Sequence, residues 1–96
     1  AKGVFGVLVG LKYKQNQLPV SRFAVVVGLK VSKKAVLRNK IRRQVREIIH
    51  QLLDEIASGY DVAILVRPGA KEKSYQELEQ AVKKVLIKSR LLKKET

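Results

Sequence analysis

Between Val31 and Ala35 the apolar period of this chain changes from two to about 3.6, and no other feature restricts its fold as strongly. Before the change, Phe23, Val25, Val27, Leu29 and Val31 alternate with Arg22, Ala24, Val26, Gly28 and Lys30. That alternation predicts a strand from Arg22 to Val31 with one bulky apolar face turned to a core and another of small residues between two cations. After the change, Ile41, Val45, Ile48, Ile49, Leu52 and Ile56 recur at helical spacing from Ala35 to Ala57, a stripe roughly 100° wide. Arg42, Arg46, Asn39, His50, Arg43 and Lys40 fall on the opposite side of the same helix. A helix over that whole span would be ~34 Å long, with Ser32 at or just before its cap.

The remaining elements follow from local composition. Val4 to Tyr13 is rich in β-branched and aromatic residues and reads as one strand, with Lys14 to Pro19 as a hairpin-like connection to the next. Tyr60 to Arg67 reads as a third strand, bounded by Ser58-Gly59 and Pro68-Gly69. Ser74, three residues before Glu77, predicts a capping box opening a helix to about Leu92, with Leu78, Val82, Val85, Leu86 and Ser89 inside and residues 93–96 frayed. The expectation is one α+β domain over residues 1–96, a small sheet packed by a long central helix and a C-terminal helix.

Charge says more about partners than size does. The chain carries 21 Lys and Arg against 8 Asp and Glu, a net +13. Residues 1–46 hold 12 of the cations and no acid, the first acid being Glu47. A surplus of this kind is retained where it meets a polyanion. With 46% apolar residues the chain can still bury a core. No apolar run approaches the ~18 residues of a membrane span, and no charged-then-apolar leader opens the chain, so the expectation is a cytoplasmic protein with no membrane partner.

Chemistry by the chain itself finds little support. There is no cysteine, and His50 is the lone histidine, so neither a thiolate nucleophile nor an imidazole or thiolate metal site can be assembled. Gly3, Gly6 and Gly10 lie inside a strand pattern and match no phosphate-binding fingerprint. His50 reads as a surface residue, and Asp54, Glu55 and Asp61 as solvated acids. No catalytic or metal-binding residue is therefore assigned. By contrast, Lys30, Lys33, Lys34, Arg38, Lys40, Arg42, Arg43 and Arg46 put eight cations within 17 residues, interleaved with core-forming apolars. Guanidinium forks pair with phosphate oxygens, and Asn39 among them can meet a ribose hydroxyl or base edge. A solvated helix face would mix in Asp and Glu at i±4. Phe5 and Tyr13, on a shared face of the first strand in this reading, are open to either base stacking or core packing.

The run from Val31 to Glu47, Val-Ser-Lys-Lys-Ala-Val-Leu-Arg-Asn-Lys-Ile-Arg-Arg-Gln-Val-Arg-Glu, resembles the signature of the bacterial ribonuclease P protein subunit. Gly59-Tyr60-Asp61-Val62, Arg67-Pro68-Gly69-Ala70 and Ser74-Tyr75-Gln76-Glu77-Leu78 extend the likeness from about Phe5 to Lys94. The resemblance implies an α/β sandwich whose long helix joins two parallel strands by a left-handed crossover, against the usual right-handed rule. It implies a non-catalytic protein subunit whose RNA partner, the ribonuclease P RNA with its magnesium ions, cleaves precursor tRNA to release the 5′ leader. No organic cofactor and no small-molecule substrate are implied. On this likeness Arg38, Asn39, Lys40, Arg42, Arg43 and Arg46 lie against the catalytic RNA, and Phe5, Tyr13, Arg22 and Lys30 line a sheet face for the leader; the charge run adds Lys30, Lys33 and Lys34 to the expected RNA contacts.

Three positions depart from the family pattern. Lys40 stands where arginine is typical, which turns a bidentate phosphate contact into a point charge. Val27-Gly28-Leu29-Lys30 stands where Val-Ser-Lys-Lys is frequent. The sequence opens at the first strand, where family members usually begin with a basic helix, so a shallower leader groove is expected. A ribosomal-type binder that only stabilises folded RNA is the alternative, and a polyanion or membrane-surface module a third. If about six to eight of the cations meet phosphates, log K for RNA should fall against log salt with a slope of roughly −4 to −7. Fluorescence anisotropy titrations across a salt series measure that slope.

Overall fold

Gly6 turns what reads as one strand into two. In the computed structural model, which describes residues 2–93, β1 (Lys2–Phe5) and β2 (Val9–Gln15) pair antiparallel with Phe5 opposite Gly10. The Gly6 N–H donates to the Val9 carbonyl at 2.9 Å and closes the reversal. Strand propensity runs through this segment unbroken, so a single glycine is the only local mark of the turn.

The sheet adds β3 (Arg22–Val27) and β4 (Tyr60–Val66) in the order β1-β2-β4-β3. β4 runs antiparallel to β2 and parallel to β3. The segment after β2 is thus not a hairpin: β4 lies between β2 and β3, and the Asn16 N–H donates to the Gly59 carbonyl instead. β3 is also shorter than its alternation suggests. The Val31 N–H bonds to the Gly28 carbonyl in a turn, which leaves Leu29 68% exposed while Val31 returns to the core. Lys30 therefore sits in this turn and not on the sheet face.

The long helix, α1 (Ala35–Leu52), is ~27 Å long and gives way to a single 3₁₀ turn at Leu53–Glu55. Ile56 then makes an isolated bridge to Leu92. Lys34 is the residue at the N-cap, without a side-chain cap, and the Ser32 hydroxyl accepts the Lys34 N–H at 3.1 Å. α2 (Tyr75–Lys88) opens on the expected box: Ser74 Oγ accepts the Glu77 N–H at 3.1 Å, and the Ser74 N–H donates to the Glu77 carboxylate at 3.2 Å. That second bond holds the Glu77 carboxyl below the usual range. The helix stops at Lys88, short of Leu92. Of the fraying expected for 93–96, residues 94–96 lie outside the described chain.

Both helices cover the same face of the sheet, α1 over β3 and α2 over β1 and β2, and they pack on each other. Val9, Leu11, Val25, Val27, Val62, Ile64 and Val66 project from that face onto Ile41, Val45, Ile48, Leu78, Val82 and Leu86. The other face carries Lys12, Ala24 and Val26, all exposed.

α2 ends on Arg90 in the left-handed region, φ 68°, where the N–H groups of Leu91 and Leu92 both reach the Leu86 carbonyl. This C-terminal position favours glycine, because a β-carbon there crowds the following carbonyl. Arg90→Gly should raise the unfolding free energy by roughly 0.5–1 kcal/mol. Urea titration followed by circular dichroism reads the change.

Candidate nucleic-acid interface

The buried stripe of α1, Ile41, Val45, Ile48, Ile49 and Leu52, determines which way its polar residues point. Lys40, Arg43 and Arg46 are exposed, as are Lys30, Lys33 and Lys34 in the segment leading into the helix. Arg42 is half-buried and donates through Nη1 to Asn39 Oδ1, so these two side chains form one polar unit on the helix surface. Arg38 behaves differently. It is half-buried and its Nη1 donates to the Ser32 carbonyl at 2.9 Å, pinning the helix start to the incoming turn.

Among the described residues no carboxylate forms an ion pair with these cations. The ion pairs among the described residues are Arg22–Asp61 and Lys73–Glu77, and neither involves Lys30 to Arg46. The first turn of α1 contains no acid, so its free N–H groups and positive dipole end add to the side-chain charge. An anionic backbone laid along this face would meet donors of both kinds.

The uncovered side of the sheet has its own relief. The Phe5 ring lies across Gly3 and Gly10: a Cβ at Gly10 would fall 2.6 Å from the ring, and one at Gly3 3.0 Å from it. Two glycines thus form a shelf, and the ring above it is 52% exposed. Toward the far end a depression of about 420 Å3 runs between Lys12, Lys14, Arg22, Ala24 and Ala63. Tyr13 is not beside Phe5. The pairing of Phe5 with Gly10, three positions before Tyr13, turns the two aromatics to opposite faces. Tyr13 packs on the core side, edge-to-face with Tyr60 at 6.1 Å.

A family model described as Ribonuclease P matches residues 2–90. The chain belongs to the ribonuclease P protein family. It is 44% identical over 72 residues to a ribonuclease P protein component of Microcystis aeruginosa, covering 75% of this chain and 60% of that one. A Bacillus cereus relative of the same description is 46% identical over 66 residues, 66% of this chain and 57% of that one. The chain therefore spans about 60% of the length of these curated relatives. The RNase P protein of Thermotoga maritima superposes with a TM-score of 0.81 at 26% identity, over 98% of this chain and 86% of that one. The Staphylococcus aureus RNase P protein has the same fold, TM-score 0.87 at 24% identity over 95% and 83%.

Within this family member, Arg22 is not a free cation. Its Nε and Nη2 donate to the two oxygens of Asp61 at 2.8 and 2.7 Å. Asn16 Nδ2 adds a third bond to Asp61 Oδ1 at 3.0 Å while its own Oδ1 accepts the Leu18 N–H. Residues 39 and 45 positions from Asp61 thus meet at one carboxylate, and no local signal announced that convergence. The Arg22 bonds first, then the Asn16 bond, hold the Asp61 carboxyl down at about 2. His50 is exposed on the cationic side of α1, and among the described residues no cluster of three or more His, Asp or Glu could hold a metal ion.

Because its folded-state carboxyl is lowered, Asp61 contributes stability above its ordinary value near 3.8 and loses it as pH falls toward about 2. Asp61→Asn should therefore be less stable than the parent at neutral pH, with the gap closing between those two values. Urea midpoints of both proteins across that range check the sign.

Proposed function

We propose that this chain is the protein subunit of a ribonuclease P, binding the catalytic RNA through the cationic face of α1. The carrying observation is the run of cations from Lys30 to Arg46, without an ion pair among the described residues and mounted on a helix whose other side is core, in a member of this family. The RNA and its magnesium ions perform the hydrolysis of precursor tRNA that frees the 5′ leader, and the chain supplies no catalytic residue.

The protein's contribution is electrostatic. Two RNAs that dock repel through their phosphates, and a rigid layer of guanidinium and ammonium groups between them lowers that repulsion and the magnesium concentration needed to overcome it. Arg43 and Arg46 offer forks for phosphate oxygens, and the Arg42–Asn39 pair presents further donors beside them. Arg38 spends one donor on Ser32 and keeps the rest of its guanidinium for RNA. The open sheet face suits the single-stranded leader: Phe5 offers a ring for stacking, and Lys12 and Lys14 offer charge. Arg22, neutralised by Asp61, shapes that face without adding net charge to it.

Multiple-turnover cleavage of precursor tRNA by ribonuclease P RNA at low magnesium, with and without the chain, tests this reading. Stimulation is expected. Its absence alongside tight RNA binding would favour a purely structural, ribosomal-type role. Arg42→Glu combined with Arg46→Glu should abolish both binding and stimulation while circular dichroism stays native.

A further inference from the structure

Away from the α1 face, a long open groove of about 1650 Å3 runs between the outer side of α2 and the β1–β2 turn. Its rim carries Arg67, Lys83, Lys84, Lys88 and Lys93. We propose that this groove is a second RNA contact, taking an unpaired strand of the same RNA whose folded part lies on α1; it rests on the functional reading above.

Four observations carry the proposal. Charge comes first: the groove faces five cations and two carboxylates, Glu55 and Glu77. Glu77 accepts the Ser74 capping bonds and pairs at 3.8 Å with Lys73, a cation outside the groove, so the rim keeps a surplus of positive charge. None of the five rim cations forms an ion pair among the described residues. Second, Lys84 and Lys88 stand at i and i+4 on the helix, where like charges repel and destabilise. A solvated surface gains nothing from that arrangement, whereas a phosphate backbone would relieve it.

Third, the surface is concave with an apolar floor. Leu8, Val85 and Ile87 lie along it, and Val7, 85% exposed at the tip of the β1–β2 turn, flanks it. Bases and riboses of an unpaired strand can rest on such a floor with their phosphates against a lysine rim, whereas a duplex or a flat bilayer reaches only the rim. Fourth, the groove is separate from the α1 site. It touches α1 only near its C-terminal end, at Leu52 and Glu55 beyond it. Arg46, the last cation of the α1 run, is ~9 Å up the axis from Leu52 and Arg38 ~21 Å, and none of the α1 cations lines the groove. Residues 47–96 carry nine cations and all eight acids, so their near-neutral sum hid this patch. The fold separates the two signs, leaving Glu47, Asp54, Asp61, Glu72 and Glu79 out of the groove.

Lysine acetylation followed by mass spectrometry, on the full chain free and bound to ribonuclease P RNA, tests the inference. Protection of Lys83, Lys84 and Lys88 together with Lys33, Lys34 and Lys40 is expected. Protection of the α1 lysines alone would overturn the groove contact and leave the functional reading standing; no protection anywhere would remove both. A Lys83→Ala, Lys84→Ala, Lys88→Ala variant, helical by circular dichroism, should bind the same RNA with a salt slope shallower by about 2. An unchanged slope overturns the proposal, as does a variant that loses only its affinity for phosphatidylglycerol vesicles.

Discussion

The contact between the apolar stripe of α1 and the inner face of the sheet is the interaction on which everything else rests. Ile41, Val45, Ile48, Ile49 and Leu52 are all buried, in a core that α1 shares with the sheet and α2, each contributing about 1.5–3 kcal/mol by leaving water. That burial has to outweigh a real electrostatic cost. Arg38 and Lys40 sit near the positive end of the helix dipole, and the chain as a whole carries +13. Packing forces the cations outward as a fixed layer, where repulsion among them becomes attraction for a polyanion. A bound polyanion should in turn stabilise the fold by mass action.

Because α1 and α2 share one face of the sheet, the other face is left open, and its character follows from backbone register. Gly3 and Gly10 lie under Phe5, so the ring can lie flat on the sheet instead of standing off it. At the opposite end the Arg22–Asp61–Asn16 cluster ties the start of β3 to β4 and to the segment after β2. These bonds are exposed and individually weak, yet they determine which of the local cations remain available: Lys12 and Lys14 do, and Arg22 does not.

Local patterns carried much of the fold and less of the site. The alternation in Phe23, Val25 and Val27, the helical stripe and the Ser74–Glu77 box all have their causes within one element, and all are found in the structure. The structure departs from those patterns where a turn interrupts a strand and where a distant strand intervenes. The strand from Val4 to Tyr13 broke at Gly6 because pairing partners, not propensity, decide where a hairpin turns. β2 and β3 did not pair because β4, far along the chain, inserts between them. Leu29 left the core when the Gly28–Val31 turn ended the strand early. Tyr13 and Phe5 parted faces for the same reason as the first of these, since one reversal changes the parity of everything after it.

What the amino-acid order alone determined, then, is the rigid cationic helix and the motif that marks its family, because a helix sorts its residues by angle and needs no partner to do so. Tertiary structure decided which charges are free. Arg22 has its charge compensated by a carboxylate 39 positions away, Arg38 became half an anchor for the helix start, and the cations around α2 were parted from the acids that accompany them in sequence. Net charge per segment is a sum over residues, whereas a binding surface depends on which of them face the same side, and only the folded chain makes that selection.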